Sequence, residues 1–436
     1  MSKEVRDDDR FVAERTSLPG RVDGWLGEGA QGTVFVVEVA GARMALKWYH
    51  PAAATTEQWR LLQQIVHAGV PHPAFLWPLD VVRIPGREGF GYLMPLRPEN
   101  YVPLSALMTR QADASFSAIA EAGRQLAHAF LQLHARGFCY RDISFGNIFF
   151  EPEAGDILIA DNDNVMPDGS GAAGILGTPR FMAPEIVMGE ALPGIQTDLY
   201  ALSVVLFYLL MLHHPLEGRR EAAIHSLDLP AMVQLYGRDP LFIFDPVNAA
   251  NAPVPELHEN ALTFWPMYPA FVRDLFVRAF TDGLRMPARR VRETEWRAAM
   301  GALKDLTFPC PTCAAENLHP EPFTAAGLTC WQCRRPVPRP LGLRFRHHVV
   351  LLARNRTIDA RVIDAVAPFE LNRPFGEVVL HPERPELLGL KNLSNEIWRC
   401  QLAGKEEEQS VPPGRSVALL PGTRFQWTEE AEVCIV

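Results

Sequence analysis

At 436 residues the chain is too long for one ordinary domain, and two to four are expected. With 48% hydrophobic and 21% charged residues it reads as globular, which excludes a disordered chain. A formal net charge of −9 excludes a surface that grips nucleic acid throughout.

Residues 1–19 are polar and charged and read as a loosely held tail, with no apolar core of a secretory leader. Residues 20–96 are strand-like, with glycine turns and one helical stretch at 57–66. Residues 97–305 turn helical, and within 117–134 the positions Ile119, Leu126, Phe130 and Leu133 keep near-helical spacing. The apolar run at 201–212 is shorter than the roughly 20 residues of a membrane span, so it reads as a buried core helix. A small strand-rich lobe before a larger helical one implies a two-lobe α+β architecture with a cleft. The character changes after residue 305. Residues 306–336 form a compact segment with its own cysteine pattern, and 334–340 read as a stiff proline-rich linker. Residues 337–436 carry short alternating runs at 347–352, 377–380 and 416–420. Turn signals at Pro412, Pro413, Gly414, Pro421 and Gly422 punctuate them, as in a small all-β domain.

The first chemical motif is a Gly-x-Gly-x-x-Gly-x-Val loop that follows Leu26, with its glycines at Gly27, Gly29 and Gly32 and its valine at Val34. Glycine lets backbone approach phosphate closely. Beyond it Met44, Ala45 and Leu46 lead to Lys47, and a lysine on a buried strand is costly unless it meets anions. Arg141 and Asp142 stand before Asn147 with the spacing Arg-Asp-x4-Asn, and an apolar run at 157–160 precedes Asp161.

From about residue 26 to 290 these motifs, completed by Gly177, Thr178, Pro179 and the Ala183, Pro184, Glu185 triplet, resemble the protein kinase family in order and spacing. The pattern resembles that of bacterial Hanks-type serine/threonine kinases. The resemblance implies ATP and Mg²⁺ as cofactors and protein substrates phosphorylated on serine or threonine, with autophosphorylation. It implies that Lys47 holds the α- and β-phosphates, that Asn147 and Asp161 hold magnesium, and that Asp142 accepts the substrate hydroxyl's proton. Leu26, the glycine loop, Val34 and Ala45 would line the nucleotide. Met94 would be the gatekeeper residue, with Pro95 supplying the adenine acceptor and Arg97 the donor. Glu57 is the only carboxylate between Lys47 and Asp80, and thus the candidate helix partner of Lys47, although Gln63 falls nearer the family's spacing. Asp198 would anchor the catalytic loop, and Arg290 would pair with Glu185. Thr178 would contact Asp142.

The chain departs from the family pattern at four positions. Tyr140 replaces a histidine, and Ser144 replaces the lysine that reaches the transferring phosphate. Asn162 and Asp163 replace the phenylalanine and glycine after the metal-binding aspartate. The chemical residues survive, so an active kinase is expected; the alternative is a pseudokinase or nucleotide-binding scaffold that signals through its tail.

Cys310, Cys313, Cys330 and Cys333 form C-x2-C-x16-C-x2-C, a spacing that closes a tetrahedral Zn²⁺ site. It resembles a structural zinc ribbon, and four such thiols suggest a reducing compartment, hence a cytoplasmic chain. The last domain resembles forkhead-associated β-sandwiches but lacks their phosphothreonine-reading pattern, so it reads as a sandwich-like interaction module. The domain order resembles bacterial kinases that accompany a metal-dependent phosphatase and a von Willebrand factor A protein. Membrane and nucleic-acid partners are not expected.

Overall fold

The computed structural model describes residues 4–170, 176–319, 328–345, 348–354, 356–359, 374–381, 384, 387–428 and 431–436. Two compact units result, Met1–Met267 with Phe271–Met300, and Tyr268–Ala270 with Gly301–Val436.

The first unit begins with β1 (Arg10–Ala13), β2 (Pro19–Glu28), β3 (Gly32–Val39), β4 (Ala42–Tyr49), α1 (Thr56–Ala68), β5 (Asp80–Arg83) and β6 (Gly91–Pro95). These strands close an antiparallel barrel in the order β1-β2-β3-β4-β6-β5, with β1 bonded to β5 across the seam. Period-two alternation sends Phe11, Val22, Val37, Leu46, Val82 and Leu93 inward as one buried cluster. Helix α1 starts at Thr55, whose hydroxyl accepts the Gln58 N–H at 3.1 Å, and it buries Leu62, Ile65 and Val66.

The expected loose tail is corrected here, because residues 10–13 are a barrel strand. Phe11 and Ala13 point inward while Arg10 and Val12 stay at the surface. The buried Asp80 carboxylate then fixes the following turn, accepting the Arg15 N–H, the Thr16 N–H and the Thr16 hydroxyl at 2.7–2.8 Å. The charged composition of 1–19 masked this two-residue inward signal.

The helical part follows with β7 (Val102–Pro103), α2 (Ser105–Met108), α3 (Phe116–Ala135), β8 (Phe138–Cys139), β9 (Ile148–Phe150), β10 (Ile157–Ile159), β11 (Met166–Pro167), α4 (Pro184–Val187) and α5 (Ile195–Met211). Ser115 caps α3 by accepting the Ala118 N–H at 3.1 Å. From Asp198 onward every residue of α5 is buried, as its apolar run demands. Among the described residues no helix is long and apolar enough to cross a membrane. Strand β8 pairs with β11 and β9 pairs with β10, so residues 140–147 and 160–165 emerge side by side.

In the second unit β12 (Thr307–Pro309) pairs with β13 (Glu316–Leu318), and β14 (Leu328–Thr329) with β15 (Pro336–Val337). A six-stranded and a four-stranded antiparallel sheet follow. Their inner residues, including Val350, Val378, Leu390, Trp398, Phe425 and Ile435, share one buried cluster. Val349 and Leu351 turn the other way and pack with Phe308, Cys310, Cys330 and Val337, so the cysteine hairpins and the larger sheet have a core in common.

Because Phe11 fills the barrel, Phe11→Ala should destabilise the first unit by about 3–5 kcal/mol in denaturant melts. A tail residue would cost nothing measurable.

Candidate active site

The two hairpins aim the side chains that the sequence singles out. The turn between β8 and β9 carries Asp142 and Asn147, and the chain leaving β10 carries Asp161. Asp198 on α5 holds the first turn from beneath. Its Oδ2 accepts the Tyr140 N–H at 2.5 Å and its Oδ1 the Arg141 N–H at 2.9 Å. Hydrogen bonds from main chain to a buried carboxylate are among the strong ones. Arg141 (φ 77°) and Asp161 (φ 49°) both take left-handed backbone, which costs non-glycine residues energy and persists where surroundings enforce it. Tyr140, in place of histidine, is fully buried against Phe75 and Phe130, and its hydroxyl donates to the Ala160 carbonyl just before Asp161. The ring thus ties the two hairpins together.

Asp142 is fixed from both sides. Asn147 Nδ2 donates to its Oδ2 at 3.1 Å and to its carbonyl at 2.8 Å, and Thr178 Oγ1 donates to Oδ1 at 2.8 Å. With its amide donor spent on Asp142, Asn147 keeps Oδ1 as the acceptor that a hard cation needs. Asp161 is half-exposed and faces the same cleft. Arg290 forms a bidentate pair with Glu185, both contacts at 2.8 Å, beneath the 177–185 stretch. Ser144 is buried, so no cation reaches the cleft from that position.

Lys47 enters from β4 and is only 5% exposed. Its Nζ donates to both carboxylate oxygens of Asp163 at 3.0 Å, to Asp161 Oδ1 at 3.1 Å and to Gln31 Oε1 at 3.3 Å. Burial alone would lower its pKa, but the Asp163 and Asp161 charges raise it on balance, so the ammonium stays charged. The expected helix partner is corrected: Glu57 and Gln63 are exposed on α1, and the helix reaches the site through Gln58. Asp163, Gln58, Gln31, Tyr49 and Tyr92 were not anticipated. The available signal was an acid standing where the family has glycine.

The glycines divide by role. A Cβ on Gly32 would stand 2.3 Å from the Trp48 carbonyl, so packing alone requires glycine there. Nothing lies within 4 Å of a Cβ on Gly27, and Gly29 would meet only the Gly32 carbonyl at 3.9 Å. Packing therefore sets no demand for glycine at those two positions. Val34, Ala45 and Met94 of the barrel pack in one cluster with Leu158 and Ala160 of the other lobe, an apolar lining at the cleft. Pro95 ends β6, and Arg97 beyond it is exposed, its guanidinium 4.5 Å over the Phe149 ring. Leu26 is exposed at the loop entrance. Asn162 is fully buried where the family has phenylalanine; its Nδ2 donates to the Ile159 carbonyl at 2.9 Å and its Oδ1 has no partner.

In the second unit the sulfurs of Cys310, Cys313, Cys330 and Cys333 all lie within 4.8 Å of one another. The Cys310–Cys333 and Cys313–Cys330 separations are 3.8 and 3.7 Å. The Cys333 backbone N–H is foremost in drawing the Cys330 thiol down to about 6, which favours thiolate.

The protein kinase domain model matches residues 21–265. Relatives include the Saccharomyces cerevisiae cell cycle serine/threonine-protein kinase CDC5/MSD2, 26% identical over 46% of this chain and 29% of that protein. Serine/threonine-protein kinase Pkn1 of Myxococcus xanthus is 31% identical over 42% of this chain and 28% of its own length. CBL-interacting protein kinase 4 of Oryza sativa subsp. japonica is 29% identical over 37% and 36%, respectively. The matched region thus spans about a third or less of each relative.

A buried histidine under the loop supplies a pH test. His134 lies between Asp198, 3.1 Å from Nε2, and Glu293 at Nδ1. Burial lowers its pKa, but the two carboxylates outweigh that and raise it from 6.5 to about 9. A raised folded pKa stabilises fully below the unfolded value, and the effect is lost as pH rises through the folded one. Denaturant melts should therefore show wild type losing on the order of 3 kcal/mol between pH 6.5 and 9 relative to its own maximum. His134→Gln should lack that slope.

Proposed function

The chain belongs to the protein kinase family, and from that premise we propose that it transfers the γ-phosphate of ATP to serine or threonine of protein substrates, itself included. The observation that carries this reading is Asp142, clamped by Asn147 and Thr178 so that its carboxylate faces the cleft in one orientation. Such a group is built to orient a hydroxyl and accept its proton. Lys47 would neutralise the α- and β-phosphates, and Gly27 and Gly29 would let the β2–β3 turn close over them. Val34, Ala45 and Met94 would receive the adenine, with the Pro95 carbonyl and the Arg97 N–H at its edge. Asp161 and Asn147 would hold Mg²⁺, which when bound neutralises charge on the phosphates. Serine/threonine specificity follows the names of the relatives.

Ser144 and the unpaired amide oxygen of Asn162 favour a second reading, a nucleotide-binding scaffold that signals through its tail. Purified full-length protein with Mg·ATP separates the two. Radiolabel transfer is expected in wild type and should drop by roughly 10³-fold in Asp142→Asn and in Lys47→Met. ATP binding without any transfer would favour the scaffold.

The four cysteines are proposed to hold one Zn²⁺ in a structural zinc ribbon. Four Zn–S bonds of about 2.3 Å in a tetrahedron set sulfur–sulfur separations of about 3.8 Å, which agrees with the 3.7 and 3.8 Å distances here. Elemental analysis should find one zinc per chain. Chelation should unfold the cysteine hairpins and spare nucleotide binding; well under one zinc with four titratable thiols would end the idea. A sandwich-like interaction module after the ribbon, supported by its alternating strands, and a cytoplasmic setting, supported by the thiol pattern, complete the proposal, and domain order adds partnership with a metal-dependent phosphatase and a von Willebrand factor A protein.

A further inference from the structure

In protein kinases the strand lysine is set by a glutamate on the following helix, and that ion pair must form before transfer. Helix α1 carries a single carboxylate, Glu57, and it is exposed in the first turn. Resting on the kinase reading above, we propose that Asp163 is the positioning residue for Lys47, so that the lysine is set by the metal-binding segment and not by the helix.

The geometry is a closed polar knot. Lys47 and Tyr92 are cross-strand partners on β4 and β6, and Tyr49 lies two residues along β4, on the same face as Lys47. All three polar ends converge on Asp163, which is fully buried. Its Oδ1 accepts from Lys47 at 3.0 Å and Tyr92 at 3.1 Å, and its Oδ2 from Lys47 at 3.0 Å and Tyr49 at 2.5 Å. A carboxylate offers about four acceptor sites, and these four contacts take them up. Asp163 therefore has no site left for a cation and serves as an anchor, whereas half-exposed Asp161 stays open to one. Burial and the Asp163 charge push both phenols well above their ordinary range, so they remain donors.

Helix α1 joins this knot through a neutral amide. Gln58 Nε2 donates to the Tyr49 hydroxyl at 3.0 Å and to the Asp163 carbonyl at 3.1 Å. The helix thus follows the Asp163 backbone and makes no ion pair with Lys47. Asp161 stands at the start of one short turn, Asn162–Asn164, and Asp163 lies within it, so moving that turn would remove the lysine's anchor and the metal ligand together. Lysine placement and metal placement become a single event.

Full-length protein tests this in two ways. In a thermal double-mutant cycle without nucleotide, Lys47→Met and Asp163→Asn should each lower Tm by about 5–10 °C, because each strands a buried partner. The double variant should lose well under the sum of the two single losses, since it leaves neither charge stranded. In kinetics, Asp163→Asn should cut kcat/KM for ATP by about 10²-fold while leaving KM for the protein substrate unchanged. Glu57→Gln should stay within about twofold of wild type. Gln58→Glu placed in an Asp163→Gly background should return at least about tenfold of the loss by restoring a helix carboxylate. Strict additivity in the thermal cycle, or a Glu57→Gln loss equal to that of Asp163→Asn, overturns the assignment. A wild type that transfers no phosphate sinks the kinase reading alone, and the thermal cycle still decides on Asp163.

Discussion

Keeping an ammonium charged inside a protein is the constraint around which the cleft is arranged. Removing Lys47 from water costs several kcal/mol unless opposite charge and hydrogen bonds replace the lost solvent. The replacement comes from Asp163 and Asp161 together, with Gln31 reaching down from the glycine turn. One buried charge thus draws the β2–β3 turn, strand β4 and the segment after β10 onto a common point. The opposite wall relies on a second buried charge, Asp198, which fixes the backbone on which Asp142 is carried. Between these two anchors the side chains with chemistry to perform are held by their neighbours before any ligand arrives.

Much of this was legible in the sequence, for a physical reason. Asp142, Asn147 and Asp161 sit at fixed offsets because the hairpins that carry them leave few ways to present them, and Lys47 and Asp198 stand out as charges beside apolar stretches that must be buried. Helices α3 and α5 were legible because burial imposes apolar periodicity on one and uniform apolarity on the other. The lysine's counter-charge was not. The helix after β4 offers no buried acid, and the acid that answers Lys47 lies 116 residues further along the chain. No local pattern reports a contact of that separation; only the replacement of a small residue by an acid hinted at it. Strand β1 was missed for the opposite reason. It sits in a charged stretch, and just two inward side chains, Phe11 and Ala13, carry the strand signal.

The second unit shows how a short cysteine segment can be held without a core of its own. Phe308, Cys310, Cys330 and Val337 are buried by Val349 and Leu351 from the adjoining sheet. Two residues facing away from the larger cluster therefore serve a second one, and sheet and hairpins stabilise each other. The boundary drawn at residue 336 by composition marks a change of motif, while the packing runs across it.

Closure of the barrel by β1 has a consequence for recognition. An open sheet presents a row of unpaired N–H and C=O groups, to which a foreign strand can add itself. Here the bonding runs round from β1 through β2, β3, β4 and β6 to β5 and back to β1, so β1 and β5, which would end an open sheet, are each paired on both sides. At those two strands an approaching protein meets side chains and already bonded main chain, so recognition there falls to shape and charge. The same closure removes a route by which a partly folded lobe could template its own aggregation.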